Sequence, residues 1–150
     1  AESYRSGTEL FGQESDWCKS IACPVDETAE DFLQEKSMKT ERFFGMLEAE
    51  GVSVEKDAPK LVLTRDSAGY VLNVRAGRSS IEGERFRQLF DLPSSCFFLE
   101  EQGGKMVITT KGIGHGIGLD QYYANALAKQ GASAEEILEL FFPGLLKKSE

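Results

Sequence analysis

The segment Gly112-Ile113-Gly114-His115-Gly116-Ile117-Gly118 constrains this chain more than any other stretch. Four glycines in seven residues carry a high conformational-entropy cost, which a chain bears where the backbone needs positive φ or where another group must come close. Met106 to Thr110 reads as a strand and Leu119 to Gln130, stopped by Gly131, as a helix, so the glycines sit at a strand-to-helix connection. His115, the single histidine, stands among them with no bulky sequence neighbour to screen its imidazole. Backbone N–H groups at a helix start favour anions or polar ligand atoms. The same residues also fit a tight turn in which His115 bonds a carbonyl. No Gly-Lys-Ser/Thr follows, which excludes a P-loop, and no strand-helix-strand unit with a later acid surrounds the glycines, which excludes a dinucleotide fingerprint.

The rest of the chain supplies elements for that loop to join. Lys60 to Arg65 and Tyr70 to Arg75 are rich in Val, Leu and Tyr and flank Asp66-Ser67-Ala68-Gly69, a turn composition, so they predict a hairpin. Cys96 to Leu99 and Lys105 to Thr110 predict a second, across a loop containing Gly103 and Gly104. Asp31 to Met38 reads as a strand. Thr40 to Glu50 reads as a helix that Thr40 caps and Gly51 ends, with Phe43, Phe44 and Leu47 on one face. Gly83 to Phe90 suits a short helix with Phe86, Leu89 and Phe90 inward. Ala134 to Phe142 suits another, opened by a Ser133/Glu136 capping box and ended by Pro143-Gly144. Phe11 to Thr28 is loop-like or short-stranded. The expected class is α+β: antiparallel β-hairpins packed with short helices, and two C-terminal helices after the Gly-rich loop.

Composition narrows the function classes. A chain of 150 residues with 41% hydrophobic content, ten Phe, four Tyr and one Trp is enough for one core. The net charge of −8 and the scattered Lys and Arg argue against nucleic acid, because phosphate binding needs a concentrated positive field. Cys18, Cys23 and Cys96 are an odd and sparse set, which predicts buried free thiols and not a disulfide framework. One His and no close Cys pair leave zinc unsupported, and no metal or cofactor is expected. No apolar run approaches the ~18 residues a membrane span needs. Ala1-Glu2-Ser3-Tyr4 has neither the basic start nor the apolar stretch of a signal peptide and no initiator Met, so a fragment of a longer protein is expected.

The order of residues around the loop is more specific than its composition. Gly114-His115-Gly116-Ile117-Gly118-Leu119-Asp120-Gln121-Tyr122 is followed by Ala126-Leu127-Ala128-Lys129-Gln130-Gly131, Glu136-Ile137-Leu138 and Phe141-Phe142-Pro143-Gly144. This resembles the Gly-His-Gly-Val-Gly-Met-Ser-Gln stretch of the stage II sporulation protein D family with its trailing helices. Gly83, Phe86 and Arg87, then Leu92, Ser95 and Phe97, resemble the family's Gly-x-x-Phe-Arg and Leu-x-Ser-x-x-Phe pattern. Ser6-Gly7-Thr8-Glu9 with Phe11-Gly12, and Trp17-Cys18-Lys19-Ser20-Ile21, are similar to its Gly-Gly-x-Thr-Glu, Trp-Gly and Tyr-Leu-x-Ser-Val segments. Asp120 stands where the family commonly has Ser, and Tyr123 where it commonly has Gly.

The resemblance implies a bacterial cell-wall protein, outside the cytoplasm at the cell envelope, that cleaves peptidoglycan glycan strands in the manner of a lytic transglycosylase. The alternative it implies is a non-catalytic wall-binding or amidase-enhancing module with a wall amidase or other hydrolase as partner. The family's catalytic glutamate lies upstream of everything matched, so no catalytic residue is expected here and the chain is a single domain or the C-terminal portion of a larger one. The implied substrate-binding residues are His115, Gln121, Gly114, Gly116, Asp120, Tyr122 and Glu9. Asp120 also fits a first-turn acid favoured by the helix dipole, and Gln121 a helix-surface amide. Tyr122 fits a sugar-stacking ring or a core aromatic. Arg87 fits an ion pair with Glu84. Glu9 and Asp120 are the acids nearest the matched loop segments.

Overall fold

The computed structural model describes residues 6, 8, 11–12, 18–23, 28–54 and 60–144. Within them the chain is α+β, as expected, with this order: β1 (Leu33–Lys39), α1 (Thr40–Ala49), β2 (Leu61–Arg65), β3 (Val71–Ala76), β4 (Ser79–Glu82), α2 (Gly83–Leu89), β5 (Phe97–Gln102), β6 (Lys105–Lys111), α3 (Gln121–Lys129) and α4 (Ala134–Phe141). The strands form two separate three-stranded antiparallel sheets, β1-β6-β5 and β2-β3-β4.

Both predicted hairpins form. In β2–β3 the turn is tied by Asp66, whose Oδ1 accepts from the N–H of Ala68 (3.1 Å) and of Tyr70 (2.9 Å). Gly69 supplies the positive φ of 89° there. The register shifts between Thr64 and Arg65. The strand β4 went unpredicted: Ser79-Ser80-Ile81-Glu82 is too short for its own periodicity to declare it, and it is paired only because Gly77, at φ 58°, turns the chain back along β3. Strand β1 runs antiparallel to β6, Leu33 opposite Lys111 and Lys39 opposite Lys105.

The main core lies between the two sheets and the first two helices. Phe43 and Leu47 of α1, Phe86 of α2, Phe97 of β5, Ile108 of β6 and Val74 of β3 are buried in one cluster. Its centre is aromatic: Phe43 stacks on Phe90 at 4.8 Å and Phe86 on Phe97 at 4.6 Å between ring centroids. Such pairs contribute roughly 0.5–1.5 kcal/mol beyond their burial. Gly83 lets α2 start directly on β3, because a Cβ there would overlap the Val71 carbonyl. Arg87 pairs with Glu84 at 2.7 Å, the structural role open to it in the sequence.

Three expectations need correction. Thr40 does not cap α1: Lys39 holds the cap position without a side-chain bond, while the Thr40 hydroxyl donates to Glu101 (3.1 Å) and its N–H to the Gly104 carbonyl (3.0 Å). The β5–β6 turn has taken that donor, so a capping side chain is not required. The helix expected from Leu119 begins at Gln121, because Asp120 is its N-cap. Tyr122 is not a core aromatic: it is 45% exposed, and it is Tyr123 of the same helix that packs edge-on against Phe141.

Helices α3 and α4 pack on each other and on Cys23 in a second, smaller core with Ile137 and Phe141. The predicted capping box is present: the Ser133 hydroxyl accepts from the Glu136 N–H and Glu136 accepts from the Ser133 N–H. Cys18, Cys23 and Cys96 are buried, as expected, and none is in a disulfide. No helix among the described residues is long and apolar enough to cross a membrane.

Candidate functional site

Leaving β6, the chain enters the Gly-rich loop, and its path is set by bonds to two other segments. The Gly112 N–H donates to the Phe32 carbonyl (2.7 Å) and the Gly114 N–H to the Pro93 carbonyl (2.9 Å). Ser94, buried, forms a bridge alongside Gly114 and donates its hydroxyl to the Lys111 carbonyl (2.6 Å). Gly112, Gly114, Gly116 and Gly118 all have positive φ, from 65° to 96°. This is the conformational demand that the glycine density predicts.

Gly116 meets a second demand. A Cβ on it would overlap the ring and hydroxyl of Tyr70, which is 1% exposed. Tyr70 stands at the end of the β2–β3 turn, held there by the Asp66 carboxylate, and forms a small buried cluster with Ala68 and Cys96. Burial pushes the Cys18 thiol above its ordinary value. Arg65, beside the same turn, donates to the Gly69 carbonyl (2.9 Å) and the Phe97 carbonyl (2.7 Å) and lies over the Phe98 ring at 4.4 Å. Burial lowers its guanidinium from the usual value.

Loop, turn and the segment before β1 enclose a cleft of about 740 Å³. One wall is the loop and the start of α3, with Gly114, His115, Gly116, Asp120, Gln121 and Tyr122. The other is Thr28 to Phe32, and Tyr70 lines it from below the loop. The sequence-derived candidates His115, Gln121, Gly114, Gly116, Asp120 and Tyr122 therefore come together around one cavity. Glu9 lies outside the described residues.

Several polar groups in the cleft have definite partners. Asp120 Oδ1 accepts from the Tyr123 N–H at 2.9 Å, so this carboxylate caps α3. The Tyr122 hydroxyl and Thr28 Oγ1 are hydrogen-bonded at 3.1 Å, joining the two walls. His115 is exposed, and its Nδ1 accepts from the Ile117 N–H at 3.0 Å, so the imidazole bonds an amide N–H and not the carbonyl expected of a simple turn. Glu30 and Asp31, both exposed, add carboxylates to the opposite wall. Among the described residues no group of three His, Cys, Asp or Glu side chains could hold a metal ion.

Sequence reasoning missed Tyr70, Glu30 and Asp31. Tyr70 looked like one more strand residue, and nothing local says that its ring will lie under Gly116. Glu30 and Asp31 precede β1, and only the β1–β6 pairing carries them to the loop.

No protein-family model matches the chain. Among curated proteins it is 29% identical over 130 residues to stage II sporulation protein D of Bacillus amyloliquefaciens, covering 86% of this chain and 37% of that protein. It is 26% identical over 129 residues to stage II sporulation protein D of Bacillus subtilis (strain 168), covering 85% and 37%. It is 25% identical over 144 residues to amidase enhancer of Bacillus subtilis (strain 168), covering 94% of this chain and 20% of that protein. The chain thus spans little more than a third of the first two relatives it matches, and these relatives support the resemblance carried by the loop motif.

Proposed function

We infer that this chain, a relative of stage II sporulation protein D and of amidase enhancer, is the glycan-engaging part of a bacterial wall-remodelling protein at the cell envelope. The observation that carries this reading is the cleft. The loop and helix start that resemble the family form one of its walls, and its lining mixes apolar side chains such as Ile113, Ile117 and Leu119 with carboxylates, an amide and an imidazole. A sugar polymer needs that mixture: apolar surface for ring faces and polar groups for hydroxyl and acetamido substituents.

Cleavage of the lytic transglycosylase type requires an acid that protonates the leaving glycosidic oxygen. Asp120 is committed to its helix, and Glu30 and Asp31 are open to water. No described cleft carboxylate suits that role, and we assign the acid to the upstream glutamate that the resemblance implies. The same absence of a sheltered carboxylate among the described cleft residues favours a second reading, a non-catalytic module that binds the wall and assists an amidase. The match to amidase enhancer over 94% of the chain supports that reading too.

A paired assay separates them. Peptide-free glycan strands are incubated with this chain and with its full-length parent, and 1,6-anhydro sugar ends are scored by mass spectrometry. Ends produced by the parent alone establish cleavage with the acid outside the chain. Ends from neither, with wall binding retained, establish the non-catalytic module. Absence of wall binding by both proteins overturns the reading.

A further inference from the structure

The imidazole of His115 is constrained more tightly than its exposure suggests. Its Nδ1 accepts the Ile117 N–H at 3.0 Å. A backbone amide can only donate, so Nδ1 must present its lone pair, and the proton of the neutral ring sits on Nε2. Gly116, at φ 70°, lies between the two residues and turns the backbone so that the Ile117 N–H comes back to the His115 ring.

The other groups around the cleft leave a specific vacancy in chemistry. The Glu30, Asp31 and Asp120 carboxylates, when ionised, only accept, and Asp120 is already engaged. They suit sugar hydroxyls, which can donate. The Tyr122 hydroxyl is shared with Thr28, and the Tyr70 hydroxyl lies against Gly116 beneath the loop. A ligand carbonyl needs a donor, and besides the Tyr122–Thr28 pair, which engages one of its two hydroxyl hydrogens internally, the loop and helix wall offers His115, through Nε2–H, and Gln121.

We propose that His115 is a tautomer-fixed donor whose Nε2–H binds the acetamido carbonyl of an N-acetylated sugar, making it the residue that distinguishes N-acetylated glycans from plain ones. This rests on the glycan-binding reading above. It gives the histidine a binding role and removes it as a general base, since one ring nitrogen is engaged and the other carries the proton.

The test has two independent arms. Because His115 is the only histidine, selective 15N-histidine labelling yields one imidazole, and long-range proton–nitrogen NMR of the unsubstituted chain reads its tautomer directly. The expected result is protonation at Nε2; protonation at Nδ1 overturns the proposal. In the second arm, binding of a β-1,4-linked N-acetylglucosamine tetramer and of the equivalent glucose tetramer is measured by calorimetry.

His115→Asn keeps an acceptor placed like Nδ1 for the Ile117 N–H and removes the distal donor. It is expected to bind the N-acetylated tetramer about tenfold more weakly, the worth of one such hydrogen bond, and to bind the glucose tetramer unchanged. Equal binding by His115→Asn and the unsubstituted chain overturns the proposal. So does a loss of discrimination in Gln121→Ala alone, which would make Gln121 the donor. If the unsubstituted chain binds neither tetramer while its imidazole is protonated at Nε2, the glycan-binding reading has failed and the proposed acceptor with it.

Discussion

At the scale of single residues, two glycines of one loop separate two reasons for being glycine. Gly116 and Gly118 both have positive φ, 70° and 96°. A Cβ on Gly118 meets nothing within 4 Å, whereas on Gly116 it overlaps the Tyr70 ring. Gly118→Ala should therefore cost about 1–2 kcal/mol, the backbone penalty alone. Gly116→Ala should cost at least about 1 kcal/mol more, the lower end of overpacking penalties, because the buried Tyr70 must move. Chemical denaturation of the two variants side by side checks this. Adding Tyr70→Leu to Gly116→Ala should recover part of the difference if the ring is its cause. The sequence showed the glycine density but not this distinction, since strain is local to the loop whereas the overlap depends on a turn more than forty residues earlier.

At the scale of elements, the capping box of α4 has a measurable electrostatic consequence. Hydrogen bonds from the Ser133 backbone and side chain lower the Glu136 carboxyl from its ordinary value. The lowered value means that the bond stabilises the helix start above the ordinary glutamate range and is lost as pH falls through the lowered one. Ser133→Ala should move the Glu136 titration, followed by NMR of its carboxyl, back up toward the ordinary value. Because this variant keeps the Ser133 N–H that donates to the carboxylate, the return should be partial, and an unmoved titration would show that the N–H alone lowers it. This box was legible because its residues lie three apart. The same holds for the β2–β3 and β5–β6 hairpins, whose turn chemistry is contiguous. The β1–β6 pairing, the division into two sheets and the displacement of Thr40 from a cap were not, because each is decided by a partner distant in sequence.

At the scale of the molecule, the two cores differ in size. The main cluster gathers residues from both sheets, α1 and α2, whereas α3 and α4 close on Cys23, Ile137 and Phe141. Opening the smaller one first is the expected order, since local stability follows buried apolar contact. Ile137→Ala should speed amide hydrogen exchange in α3 and α4 and leave β6 unchanged. Phe86→Ala, at a cost of about 3–5 kcal/mol, should speed exchange in every element whose amides open only through global unfolding. Uniform acceleration by Ile137→Ala would show one cooperative unit in place of two.

The contact between Tyr70 and Gly116 joins these scales through thermodynamic linkage. Because the loop rests on a ring carried by the β2–β3 turn, a ligand that holds the loop in this conformation also favours the turn in its own. Occupancy of the cleft is then reported at Ala68 and Tyr70, whose amides are donors to the Asp66 carboxylate, as slower exchange at positions where the ligand need make no hydrogen bond. The hairpin is a built-in sensor of the loop.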